Sequence, residues 1–493
     1  MRTDAAIPAG DIPEGLVEPS LYVGKVTPGS LDDQVLAFPE TKPPRKWYFA
    51  LAVTLTAALI GVFSIGYTFV TGIGAWGNSS PVFWAFDIIN FVFWVGIGHA
   101  GTLISAILFL FRKRWRNAIA RFAEAMTIFA VICAVIFPLI HIGRPWLAYW
   151  LFPYPNQRAL WTNFRSPLLW DVFAVNTYFS VSLMFWYLGL IPDIASMRDR
   201  TTSKLRKGIY TVLAMGWRGA ASHWQHYEKA YLLLAGLATG LVLSVHSVVS
   251  FDFATSVVPG WHMTIFPPYF VAGAIFAGFA MVVMVLVVVR ETMQLKNLIT
   301  MRHLDVMNKV ILAMSCIMGY SYMMEGFTAW YSMNEYLHRA FMNIITGTYG
   351  WAGWVTITCN ILIPQILWFK KARASYFWMI LVAVGVTIGM WFERFVIIVI
   401  SLHQDYLPSA WRIYKPTMVD FGILLGTFGI FFTLVLLFAR VLPVIATTEV
   451  KAILPGAQPE HGSEGHFAAG ETGTAQPTDG LREPSHHGDD HHV

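Results

Sequence analysis

His141 closes one long apolar segment, in PLIHIGRPW, and Asp171 opens the next, in RSPLLWD, so two proton-exchanging side chains flank a single loop. A histidine switches charge near neutrality, and a carboxylate beside it supplies a second proton acceptor. Such a pair suits proton-coupled chemistry at a membrane surface. Ionisable groups in spanning helices cost roughly 2.5 to 3.5 kcal/mol each at the helix centre and less toward the edge, which makes them functional candidates by default. More of them recur at the same level: Asp252 in HSVVSFD, then His246, Asp87, Glu325, Glu393, Arg394, His403 and Asp420. Two others, His99 and Glu124, fall deeper and on the other side.

The elements that must position these residues are apolar helices. The 493 residues are 56% hydrophobic and only 13% charged, with a mean hydropathy of +0.54, outside the range of an ordinary soluble domain. A bilayer core of about 30 Å needs roughly 20 apolar residues per helix. Ten runs meet that length, near 48–72, 83–111, 119–141, 168–191, 229–250, 268–289, 305–330, 341–369, 375–400 and 418–442. None alternates with the two-residue period of a membrane β-barrel. The expectation is an all-α integral membrane protein with three regions: a polar N-terminal segment at 1–46, a membrane domain at 47–442 and a tail at 443–493.

Residues 1–46 lack a charged-then-apolar leader with a small-residue cleavage site, so the first span is expected to be retained. Lys and Arg gather in alternate loops: Arg112, Lys113, Arg114 and Arg116; Arg198, Arg200, Lys204, Arg206 and Lys207; Arg290, Lys296 and Arg302; Lys370, Lys371 and Arg373. The other loops carry chiefly Arg144, Arg158, Arg165, Arg339, Arg412 and Lys415. The positive-inside bias then sets a multi-pass protein with both termini cytoplasmic. The net charge of +5 is mostly this signal and does not mark nucleic-acid binding. Cys133, Cys316 and Cys359 lie singly in apolar spans, with no CxxC, CxxCH or iron–sulfur spacing, so neither haem nor cluster is expected on this chain. Residues 455–493, with HHGDDHH near the end, read as a disordered cytoplasmic tail.

Each candidate has a plainer reading. Asp171 follows Ser166 and Pro167, and an acid in a first helical turn suits the helix dipole. His141 alone is more often an interface histidine than a catalytic one. Glu393 and Arg394 point about 100° apart on a helix, which favours other partners for each. Arg394 either neutralises Asp171 or Asp252 or snorkels to the interface. His99 and Glu124 sit at similar depth on antiparallel neighbours, as the start of a proton path or as an interhelical contact worth under about 1 kcal/mol. Tyr320, Tyr322, Thr356, Thr358 and Asn360 read as interhelical glue. The ends of consecutive antiparallel helices are usually neighbours, which favours one group of His141, Asp171, His246 and Asp252.

HIGRP at 141–145 followed by SPLLWD at 166–171 resembles the H/D-L-G-R-P and S-P-M-S-W pattern of the NrfD-like family, the membrane subunits of polysulfide-reductase-type complexes. Ten spans, cytoplasmic termini and Asp171, where many members have Gly, look most like the larger NrfD-like subunit of bacterial alternative complex III. The resemblance covers about 48–442. It implies two four-helix bundles, spans two to five and six to nine, with spans one and ten outside. It also implies a quinol site at the outer end of the first bundle, with menaquinol the expected substrate, and a place in the bacterial inner membrane. Its implied partners are a periplasmic iron–sulfur subunit, multihaem cytochrome c subunits and a second NrfD-like membrane subunit.

On that footing His141 and Asp171 are the expected general bases, with Asp252 passing protons outward. Arg394, His246, Trp170 and Glu393 are expected to bind the substrate, and Trp146, Trp170 and Phe251 to wall its ring. His99 and Glu124 form the expected proton path. No metal site is expected. The rival readings are a second NrfD-like subunit or passive anchor without a quinol site, a haem b subunit using His141 and His246, and a secondary transporter, whose charges would sit at the midplane.

Overall fold

The computed structural model describes residues 21–23, 26–36, 38–151 and 166–454. The expected tail at 455–493, residues 1–20 and the loop carrying Arg158 and Arg165 lie outside them. The regular structure among the described residues is helical, and nine of the helices are long and apolar enough to cross a membrane. After a short α1 (Pro28–Val35) come α2 (Arg45–Thr71), α3 (Phe86–Leu110), α4 (Ala120–His141) and α5 (Pro167–Arg200). The amphipathic α6 (Lys204–Leu213) precedes α7 (Ala221–Ala254), α8 (Phe266–Thr292) and α9 (Met301–Tyr331). Then follow α10 (Glu335–Thr346), α11 (Gly350–Ile357), α12 (Tyr376–His403) and α13 (Met418–Val441), and last α14 (Thr447–Lys451).

A tenth crossing follows from the chain's own connections. Arg373 Nε donates to Asp305 Oδ1 at 2.7 Å, which ties the entry of α12 to the start of α9. The chain leaves α9 at Tyr331 on the other face, so it must recross between 332 and 375. It does so in an interrupted helix: α11, a wide π turn at Thr358–Leu362 and a tight 3-10 segment at Ile363–Trp368. Pro364 has no N–H to donate and breaks the ladder there. The sequence placed this span at 341–369, but residues 341–346 belong to α10. Its apolar Leu337, Phe341 and Ile344 recur at helical spacing, and Gly347 ends it.

Helices α3, α4, α5 and α7 pack as one four-helix bundle, and α8, α9, the 350–368 segment and α12 as a second. The two meet along α3 and α8, while α2 and α13 pair outside the first bundle. Burial follows this order: 83% of the apolar window of α3 is buried against 17% for α2. The α2–α13 pairing depends on small residues, since a Cβ on Gly61 would stand 2.4 Å from Gly426 Cα. Small residues let backbones approach where no hydrophobic drive distinguishes protein from lipid.

Both described ends of the chain gather on the face rich in Lys and Arg, here called the basic face. Lys451 Nζ lies 2.7 Å from Asp32 Oδ1, and Arg440 donates to the Phe38 carbonyl oxygen. Residues 443–454, which the sequence assigned to the tail, pack inward: Val444, Ile445, Thr447 and Val450 are buried. Helices α5 and α7 have 34 residues each, about 51 Å at 1.5 Å per residue. They overshoot an approximately 30 Å core. The extra turns of α5 carry Asp193, beyond the span end at 191 that the sequence suggested. Gly426→Leu should separate α2 from α13 and cost about 1 to 3 kcal/mol by overpacking. Thermal unfolding in detergent should show a lower midpoint, and an unchanged one would contradict this packing.

Candidate functional site

The HIGRP turn is built by its own residues. Pro138 lies one turn before the end of α4 and removes one backbone donor. Gly143, at φ +72°, then reverses the chain in the left-handed region, where a side chain is disfavoured. His141 is thereby presented at the end of α4, on the face opposite the basic one. Its partner is Asp87, not Asp171. Asp87 stands in the first turn of α3, where the helix dipole favours an acid. Its Oδ2 makes a short contact with His141 Nδ1, and its Oδ1 accepts from Ala85 N at 3.1 Å. The neighbour rule for antiparallel helix ends predicts this pair equally well when applied to α3 and α4, and that signal was in the sequence.

Asp171 pairs instead with Asp252. Near the start of α5 and the end of α7, the two acids are close neighbours, and both residues are buried. Two buried carboxylates side by side repel each other, which favours one of them holding a proton. The Oδ1 of each has no hydrogen-bond partner among the described residues. Trp170 and Phe251, each one residue before its carboxyl, meet edge to face at 6.3 Å. Behind Asp252, Phe253 packs on Trp261 at 4.9 Å and Trp84 at 6.0 Å. Trp146 is 64% exposed and forms no part of this wall among the described residues.

His246 does not join that group. It lies six residues before Asp252 and is fully buried, with its ring edge on His99 at a centroid distance of 4.2 Å. Neither of its ring nitrogens has a hydrogen-bond partner among the described residues. His99 Nδ1 reaches Val95 O at 2.9 Å, and its ring stacks on Tyr178 at 5.4 Å. The Tyr178 hydroxyl contacts Thr102 Oγ1 at 2.8 Å and donates to Gly98 O at 2.9 Å.

Glu124 does not hydrogen-bond His99. Its Oε2 accepts from Arg121 Nη1 at 3.0 Å, and its Oε1 from the Tyr231 hydroxyl at 3.3 Å. Arg121 Nη2 also donates to Asp193 Oδ2 at 3.2 Å, which in turn receives Thr447 Oγ1 on Oδ1 at 2.7 Å. Arg116 and Glu449 extend the network at 3.0 Å. Nothing in the sequence singles out Arg121 or Asp193, because both fall at or beyond the ends of the apolar runs. This network closes the first bundle at the basic face.

Glu393 and Arg394 were expected to find separate partners, and they pair with each other. Neighbours on a helix can meet because the Arg side chain is long enough to fold back over its own turn. Glu393 also accepts short from the Tyr322 hydroxyl and from Asn360 Nδ2 at 3.3 Å. The Arg394 guanidinium lies over Phe270 at 4.6 Å. Among the described residues neither side chain makes an ion pair with Asp171 or Asp252. Glu393 instead borders a cavity of about 280 Å³ in the second bundle. No cluster of three or more metal-ligating side chains is present among the described residues.

With this geometry in place, comparison with known proteins decides the family. The profile of "Polysulphide reductase, NrfD" matches residues 74–404, about two thirds of the chain. The chain belongs to the NrfD family. It is 26% identical over 242 residues to a putative dimethyl sulfoxide reductase membrane subunit of Halobacterium salinarum, covering 49% of this chain and 51% of that one. That match spans about half of the relative's length. An "Hdr-like menaquinol oxidoreductase integral membrane subunit" of Archaeoglobus fulgidus is 22% identical, covering 73% of this chain and 82% of its own. A selenate reductase subunit of Mesobacillus selenatarsenatis is 20% identical, covering 81% and 94%. This NrfD-family chain is thus a multi-pass membrane protein similar to membrane subunits of redox enzymes.

Arg121 is the one cation in contact with both Glu124 and Asp193 among the described residues. Removing one partner of a buried ion pair costs about 3 to 5 kcal/mol because the remaining charge is uncompensated. Arg121→Ala should therefore lower the thermal midpoint in detergent. Asp193→Asn should lower it less, since Arg121 keeps Glu124.

Proposed function

We propose that this NrfD-family chain is the quinol-oxidising membrane subunit of an alternative-complex-III-type oxidoreductase. The observation that carries this reading is the paired Asp171 and Asp252 carboxyls beside Trp170 and Phe251. Oxidation of a quinol releases two protons and two electrons. A carboxyl pair sharing one proton offers a base to the first ring hydroxyl and, once the shared proton has left, a base for the second. Trp170 and Phe251 provide an apolar edge for the ring, and His141, held by Asp87, stands at the same face as a further acceptor. The relative described as a menaquinol oxidoreductase subunit supports menaquinol as the substrate.

In this reading the basic face is cytoplasmic, both termini lie there, and the membrane is the bacterial inner membrane. Electrons pass to a periplasmic iron–sulfur subunit and on to multihaem cytochrome c subunits, with a second NrfD-like subunit alongside. The buried sequence Glu124, Tyr178, His99, His246 spans the bundle from the basic face toward Asp252. The unpartnered nitrogens of His246 are suited to water or a transferred proton, so proton translocation along this line is part of the proposal.

Asp252→Asn and Asp171→Asn should each lower kcat for quinol oxidation by the assembled complex about 10²-fold, the lower end of a general base contribution. KM should change less. Full turnover in a normally assembled variant would favour a passive anchor instead. His99→Asn and Glu124→Gln should lower the proton-to-electron ratio measured in proteoliposomes while most quinol oxidation persists. An unchanged ratio would remove the proton path from the proposal.

A further inference from the structure

The carboxyl of Glu325 borders the second-bundle cavity. Among the described residues it makes no hydrogen bond or ion pair, and the charged neighbour acting on it is another acid, Glu393. Glu393 is engaged by Arg394, Tyr322 and Asn360, so Arg394 is paired with Glu393 and not with Glu325. Six residues from the end of α9, Glu325 sits about 9 Å below the face opposite the basic one. Half-buried on the cavity wall, its carboxyl is open to a partner from outside the chain.

The cavity wall indicates what kind of partner fits. Apart from the acids it is lined mainly by apolar and aromatic side chains, Phe341, Ile344, Ile361 and Val396 among them. A hard cation would need several converging oxygens, and among the described residues no group of three or more His, Cys, Asp or Glu could hold a metal ion. A bare acyl chain would leave Glu325 unsatisfied. About 150 Å³ suffices for benzene, so about 280 Å³ admits a one- or two-ring headgroup. Two π turns, Thr358–Leu362 and Val396–Ile400, contribute wall residues, and π bulges inside α-helices are frequent at functional sites. Helix α10 covers the outer side, and the exposed Met323 of the wall faces outward.

We infer that the second bundle holds a site for a membrane-dissolved aromatic alcohol of the hydroquinone class, with its hydroxyl donating to Glu325 and its ring between Phe341 and Ile361. The site is separate from the Asp171–Asp252 pair and does not depend on that pair being catalytic.

A naphthohydroquinone carrying a diazirine tests this by photolabelling of the intact complex under anaerobic conditions, followed by peptide mapping. Label is expected within 319–361 and should be competed by unlabelled menadiol. It should fall about tenfold, the worth of one hydrogen bond to a charged group, in Glu325→Leu and with the dimethyl ether of the probe. Gly319→Phe, whose Cβ would meet the Ile361 side chain at 3.7 Å, should block the site by filling it. Absence of label from 319–361, lack of competition by menadiol, or equal labelling by the dimethyl ether or in an assembled Glu325→Leu variant would each overturn the inference. Label near residues 171 and 252 is read separately, so loss there bears on the first-bundle proposal alone.

Discussion

A charge inside hydrocarbon must find its counter-charge, or a proton, within the protein, and this constraint organises the molecule. In the first bundle it binds Arg121 between Glu124 and Asp193 at the basic face and leaves the like-charged Asp171 and Asp252 at the other to be relieved by a proton. In the second it closes Arg394 onto Glu393 and draws Tyr322 and Asn360 around them. The backbone obeys the same rule, since the crossing at 350–368 departs from α geometry and finds a donor on the neighbouring α9: Ser315 Oγ donates to Asn360 O at 2.7 Å. Irregular backbone at membrane depth is tolerated where it is buried in protein or lines a cavity, as it does here.

The two bundles use this rule to different ends. The first carries polar groups at three levels: the Arg121 network at the basic face, Tyr178 with His99 and His246, and the Asp171 and Asp252 pair. The second concentrates its charge at one depth and leaves a cavity beside it. Phe270 joins them: it lies under the Arg394 guanidinium on one side and 6.3 Å from the His246 ring on the other. A charge change at Glu393 or Arg394 would therefore be felt by His246 across one aromatic ring.

The short ends of the chain also contribute to the interior. Thr447 and Glu449 from α14 complete the Asp193 and Arg116 contacts, and Lys451 holds the N-terminal segment through Asp32. The closure of the first bundle at the basic face is thus shared by residues more than 300 positions apart in sequence. Opening there requires moving α14, a five-residue helix.

Much of this was legible from the chain alone. Apolar runs of bilayer length, the alternation of Lys and Arg, and HIGRP with SPLLWD determined an all-helical membrane protein, its family and the level of His141, Asp171 and Asp252, because each depends on local composition or on rise per residue. Which acid meets which base was not determined, since the same depth is shared by up to ten helices and side-chain direction depends on helix rotation. Only the tertiary structure paired His141 with Asp87, Asp171 with Asp252, His246 with His99 and Glu393 with Arg394. It alone divided the eighth span into α10 and an interrupted crossing, because Pro364 and Gly347 interrupt a run whose hydropathy is continuous. It alone formed the Glu325 cavity, whose walls come from segments far apart in the chain.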